Sequence, residues 1–258
     1  MKKIIAKIIT SFKTIGIFPT LLKLGKHFFS RLFREKVLTE KILEMDNIED
    51  RFTEIYKNNV WGNFESVSGN GSTLEGTQNL RNKLPELIQQ FSIHSVFDAP
   101  CGDFNWMSVF LKTTNIKYIG GDIVLPLIEA HQSNFKDTHT NFIHIDLTKD
   151  KFPEADLMIC RDCLFHLSYQ DTKLVLQNFI NSNIKYLLTT TYVKSEDFNN
   201  RDITTGDFRL TDLFSAPYQF DQKALYRIDD TIPNETPREM CLWSREQILH
   251  ALENLNNF

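Results

Sequence analysis

The chain has 258 residues, 41% of them hydrophobic and 24% charged, a balance that supports one sizeable core and excludes a disordered or fibrous class. Its net charge of −4 hides a basic start: residues 1–36 carry seven Lys and two Arg against one Glu, a balance of +8 that leaves −12 for the rest. An acidic body argues against a general nucleic-acid binder, and the four cysteines, in or beside predicted strands, read as reduced thiols rather than a disulfide framework.

Residues 1–36 read as two amphipathic helices broken near Pro19. Ile4, Ile5, Ile8, Phe12 and Ile15 share one face of the first, and Leu21, Leu24, Phe28, Leu32 and Phe33 one face of the second. The charge-free run between Lys13 and Lys23 falls well short of the roughly 20 residues of a membrane span, and no signal-peptide cleavage site follows. Two readings stay open. The pair is an anchor on an anionic membrane surface, placing an otherwise cytoplasmic protein on its inner face, or a helical extension packed on the domain. The domain itself is read as 37–258, with a core over 91–192 and an insertion over 193–222.

Residues 37–60 are predicted helical. The stretch from Trp61 to Thr77, rich in glycine and hydroxyls, reads as an irregular loop, and a helix follows from Thr77 to about Phe91. Then comes the stretch that organises the chain, Ser95-Val-Phe-Asp-Ala-Pro-Cys-Gly-Asp-Phe-Asn-Trp-Met107. Its pattern predicts a buried parallel strand ending at Asp98, a tight turn at Gly102 and a helix start. Further strands are predicted at Lys117–Asp122, Asn141–Asp146, Ala155–Cys160 and Tyr186–Tyr192, alternating with helices at 105–112, 126–134 and 170–181. Strand–helix alternation implies a parallel three-layered α/β sheet. Late strands at Ala224–Asp229 and Arg238–Trp243 fit an edge hairpin, with a last helix from Ser244. Cys160 and Cys163 have metal-like spacing but no second pair, so no metal is expected.

Over Ser95 to Tyr192 the chain resembles the class I S-adenosylmethionine-dependent methyltransferases, and Asp98-Ala-Pro-Cys-Gly-Asp-Phe-Asn-Trp-Met107 is similar to a bacterial subfamily associated with cell-surface sugars. The resemblance implies a doubly wound, Rossmann-like seven-stranded sheet, mostly parallel with an antiparallel edge hairpin, plus N-terminal helices. It implies S-adenosyl-L-methionine as cofactor and a sugar or polysaccharide hydroxyl as acceptor. Pro100 and Phe104 replace two of the family's usual three glycines. A cofactor without phosphate tolerates this, because no pyrophosphate needs close backbone approach.

The resemblance assigns Asp98, Ala99, Pro100, Cys101 and Gly102 to the cofactor loop. It gives Asp122 and Ile123 to the ribose, Asp146 and Leu147 to the adenine, and Trp61, Ser72 and Thr77 to a covering loop. At the exit of the fourth strand, Arg161, Asp162 and His166 are the best-placed polar groups. His166 or Asp162 is the candidate base, and Arg161 is a contact to cofactor or acceptor. The polar stretch 198–210 is expected to join them, with Asp202, Thr205 and Arg209 on the acceptor in one shared pocket. Two other functions compete. A nicotinamide-dependent oxidoreductase or epimerase would want the missing glycines, and a non-catalytic scaffold docked at a membrane would need no polar acceptor site. The oligomeric state is not legible.

Overall fold

The computed structural model describes residues 36–193 and 198–256. The basic arm lies outside the described residues, apart from Lys36. Residues 36–43 are helical, and the chain divides into compact units at Met45/Asp46. Among the described residues no helix is long and apolar enough to cross a membrane.

The second unit alternates as expected: α1 (Ile48–Lys57), α2 (Gln78–Gln90), β1 (Ser95–Asp98), α3 (Asn105–Leu111), β2 (Lys117–Asp122), α4 (Leu125–Phe135), β3 (Thr140–His144), β4 (Leu157–Cys160), α5 (Tyr169–Asn181), β5 (Tyr186–Tyr192), β6 (Tyr226–Asp229), β7 (Arg238–Ser244) and α6 (Arg245–Asn256). The sheet order is β3-β2-β1-β4-β5-β7-β6. β7 runs antiparallel between β5 and β6, and the other contacts are parallel.

Alternation along the strands explains the layers, since successive side chains point to opposite faces. Val96, Leu157 and Ile159 join Leu80, Leu84 and Leu87 of α2 and Phe110 of α3 on one face. Phe97 and Met158 join Leu176 and Phe179 of α5 and Ile248 of α6 on the other. Fully burying one such side chain is worth about 1.5–3 kcal/mol. Buried on both faces, the central strands read as unbroken apolar runs, which is why the sequence marks them so clearly.

Topology also sets where a ligand can sit. β1, β2, β3, β4 and β5 end at one edge of the sheet. β6, parallel to β5, ends there too, and antiparallel β7 starts there. Residues 161–166, 230 and 238 therefore meet the β1–β3 turns at the carboxyl edge, the usual ligand side of a doubly wound sheet.

Candidate active site

At that edge lies a cavity of about 330 Å³, within the usual range for a small-molecule site. Asp98, Pro100, Cys101, Gly102, Asp122 and Ile123 line it, as do Asp146, Leu147, Arg161, Asp162 and His166. Trp61 and Ser72 line it from the covering loop.

The loop after β1 is fixed from three sides. The amide of Gly102 donates to Asp122 Oδ2 at 3.0 Å, and that of Cys101 to the Gly121 carbonyl at 2.8 Å. His131 Nε2 lies 2.8 Å from the Gly102 carbonyl. Gly102 has φ +53°, and a Cβ there would clash with Ser68 Oγ. Glycine is needed both for the left-handed turn and for close approach of the covering loop. That loop is tied down in turn: Val67 N donates to Asp103 Oδ2 at 3.0 Å, and Asp103 N to Ser68 Oγ at 2.9 Å.

Asp98 is 2% exposed and accepts a hydrogen bond from Tyr118 Oη at 2.7 Å through Oδ2. Burial pushes its carboxyl up to about 7, against the pull of that hydrogen bond and of Arg161. Asp122 is also raised by burial, although the Val124 and Gly102 amides donate to it. Asp146 differs. Its Oδ1 accepts from Thr148 N and Oγ1 at 2.9 and 2.6 Å, and its Oδ2 from Lys149 at 2.8 Å. Burial opposes ionisation there, but those donors hold the carboxyl below its ordinary value. Its oxygens are thus engaged in their own turn.

At the β4 end, Asp162 sits at φ +52°, a conformation that marks functional turns when a non-glycine holds it. Its amide donates to Thr190 Oγ1 at 2.9 Å. Arg161 does not reach into the cavity as a free cation: its Nε and Nη2 each donate to Asp230 at 3.1 Å, and Nη1 lies 3.3 Å from Asp162. Arg238 Nη1 lies 3.0 Å from Asp162, and its Nε donates to the Asp230 carbonyl at 2.9 Å. Burial works against both acids. Asp230 is raised to about 6, while Arg161 and Arg238 together hold Asp162 below its ordinary value.

His166 Nδ1 lies 2.8 Å from the Asp207 carbonyl. A carbonyl only accepts, so Nδ1 carries the proton and Nε2 keeps a lone pair. Burial lowers the ring's pKa below its ordinary value. Trp61, Phe165 and Phe208 surround it, with ring centroids 4.6 to 5.8 Å away.

Five expected site residues fall outside the cavity lining. Ala99 is buried beneath it. Thr77 is buried at the start of α2, where its hydroxyl donates to the Thr73 carbonyl at 2.8 Å. The shared acceptor pocket does not form as expected, because the 198–210 segment secures the start of α5. Asp202 accepts from Tyr169 N at 2.7 Å. Thr205 Oγ1 accepts from Ser168 N at 2.9 Å and donates to Asp171. Arg209 is 2% exposed, with Nε donating to Thr211 at 3.1 Å, Nη2 to the Tyr218 hydroxyl at 2.5 Å, and its guanidinium over the Tyr169 ring. Only Phe208 of this segment lines the main cavity.

Sequence reading missed Asp230, Glu235 and Arg238, and the wall formed by Tyr192 and Phe208. The signal was in the topology: an edge hairpin with one antiparallel strand brings the end of β6 and the start of β7 to the ligand edge.

No family model and no curated sequence matches the chain. Solved structures do. PigF, solved with SAH, aligns at TM-score 0.57 and 11% identity, over 86% of this chain and 72% of its own. Magnesium protoporphyrin IX methyltransferase (ChlM) from Synechocystis PCC 6803, with bound SAH, aligns at 0.51 and 11%, over 74% and 93%. The S-adenosylmethionine-dependent methyltransferase SibL aligns at 0.50 and 13%, over 92% and 72%. The chain has the doubly wound, Rossmann-like fold of these proteins.

Proposed function

We propose that this chain is an S-adenosylmethionine-dependent methyltransferase that methylates a hydroxyl of a sugar, free or in a cell-surface polysaccharide. The observation that carries the reading is the convergence of Asp98, Asp122 and Asp146, from three successive strand ends, on one cavity. The fit is chemical. Asp98 Oδ1 has no hydrogen bond from the described residues, so a buried carboxylate faces the space where a cation would sit. A nucleoside with hydroxyls, an amine and a sulfonium suits acids, whereas a dinucleotide pyrophosphate would meet repulsion and an incomplete glycine loop.

When bound, S-adenosylmethionine supplies an electrophilic methyl group. Asp122 stands at the end of β2 to accept ribose hydroxyls, and its hold on the Gly102 amide keeps the loop closed against the nucleoside. Leu147 and Ile123 supply apolar wall. Trp61 and Phe208 screen His166 from water. His166, neutral and with its free lone pair at Nε2, takes the hydroxyl proton, and Asp162 orients that hydroxyl. The sugar part of the reading rests on the resemblance over Asp98–Met107, and the anionic-membrane role on the +8 balance of residues 1–36.

Calorimetry tests the reading. S-adenosylmethionine and S-adenosylhomocysteine should bind and NAD should not. Asp122→Ala should weaken both by about 2–4 kcal/mol, through lost hydrogen bonds to a charged acceptor. Tight NAD binding, or unchanged affinity in the variant, would sink the assignment.

A further inference from the structure

Resting on the reading above, the acceptor end of the cavity also carries a specificity. Two arginines there, Arg161 and Arg238, suggest a receptor for an anionic sugar. Their partners argue otherwise. Asp230, with no exposed side-chain surface, pairs with both guanidiniums, and Asp162 pairs with both from the cavity side. Two cations and two anions cancel. Glu235, exposed and on the cavity wall, adds a further negative charge whose Oε1 accepts from the Asn70 amide at 3.2 Å. One polar atom in the group is left over: Arg238 Nη2 is buried and makes no hydrogen bond of acceptable geometry, although Asp230 Oδ2 lies 3.1 Å away.

That orphan donor and an oxygen of Asp162 border one spot. A Cβ on Gly71 would lie 3.1 Å from Arg238 Nη2 and would clash with Asp162 Oδ2, so the absent side chain keeps the spot open. A carboxylate only accepts and a guanidinium only donates, so a hydroxyl, which does both, is the complementary group. Tyr192 and Phe208 close the sides with aromatic surface suited to the C–H face of a ring.

We propose that Asp162 and Arg238 form an acceptor subsite that takes an uncharged sugar hydroxyl, and that with Glu235 it rejects a ring bearing a carboxylate or phosphate. Attraction and rejection come from different groups, the usual construction of a specific site. The low pKa of Asp162 keeps it ionised at neutral pH, so the repulsion persists there.

Methyl α-D-glucoside and D-glucuronate are the probes, the same ring without and with a carboxylate. Each is titrated into the full chain, alone and saturated with S-adenosylhomocysteine, with binding followed by ligand-observed NMR. The glucoside should bind at least tenfold more tightly than glucuronate. Asp162→Asn and Glu235→Gln should each narrow that gap by raising the relative affinity for glucuronate. Equal or tighter binding of glucuronate to the native chain, or no binding of either ring, overturns the proposal. So does a parallel loss of both rings in the two variants, which is what a merely structural role would produce. Failure of S-adenosylhomocysteine to bind a chain that still discriminates the rings would remove the methyltransferase reading and leave the charge selectivity standing.

Discussion

Asp98→Asn should make the protein more stable and less able to hold its cofactor. The native carboxyl is 2% exposed, and burial raises it from 3.8 to about 7. That gap is about three pH units, and at 1.36 kcal/mol per unit it corresponds to about 4 kcal/mol. Because the folded value is the higher one, the contribution is fully present below 3.8 and is lost as pH rises through 7. Above pH 7 the native fold therefore carries a buried charge that asparagine, of the same shape and able to keep the Tyr118 hydrogen bond, does not. Urea denaturation followed by circular dichroism across pH 4–9 should show native and variant nearly equal at the acid end. The variant should pull ahead by up to about 4 kcal/mol at the alkaline end. Calorimetry should show the opposite trend for ligand. Affinity for the cationic S-adenosylmethionine should fall more than affinity for S-adenosylhomocysteine, which lacks the sulfonium charge. A variant no more stable than native at pH 8 would refute the claim that Asp98 is strained by burial. An equal loss for both ligands would refute its electrostatic role.

His166→Gln should lower turnover by about 10²–10⁴-fold while S-adenosylhomocysteine affinity holds. The acid limb of the native pH–rate profile should fall below the ordinary histidine value, because burial lowers the ring's pKa. A limb rising only above pH 7 would move the base elsewhere. Arg209→Ala should cost about 1.5–3 kcal/mol in denaturant stability, through lost charged hydrogen bonds, and leave the KM for acceptor unchanged. Intact stability with a raised KM would put Arg209 back among the acceptor contacts.

The local pattern of the chain determined the layered sheet, the edge hairpin and the first cofactor loop. Each depends on short-range rules: apolar runs for strands buried on both faces, helical periodicity between them, and a glycine at a left-handed turn. The same rules placed Asp98, Asp122 and Asp146 at strand ends, and topology alone then sends them to one edge. The acceptor side was legible only in part. Arg161, Asp162 and His166 lie just past β4, so their position followed from the strand. Whether Arg161 was free depended on Asp230 and Arg238, far along the chain and brought in by strand pairing. Asp202, Thr205 and Arg209 carry the chemistry of a sugar site in sequence, yet they fold against α5 and secure its first turn. A polar side chain looks the same in sequence whether it meets a ligand or satisfies a buried backbone group. Only the packing of the loop that carries it decides between them, because buried polar groups take whichever partner the fold brings within reach.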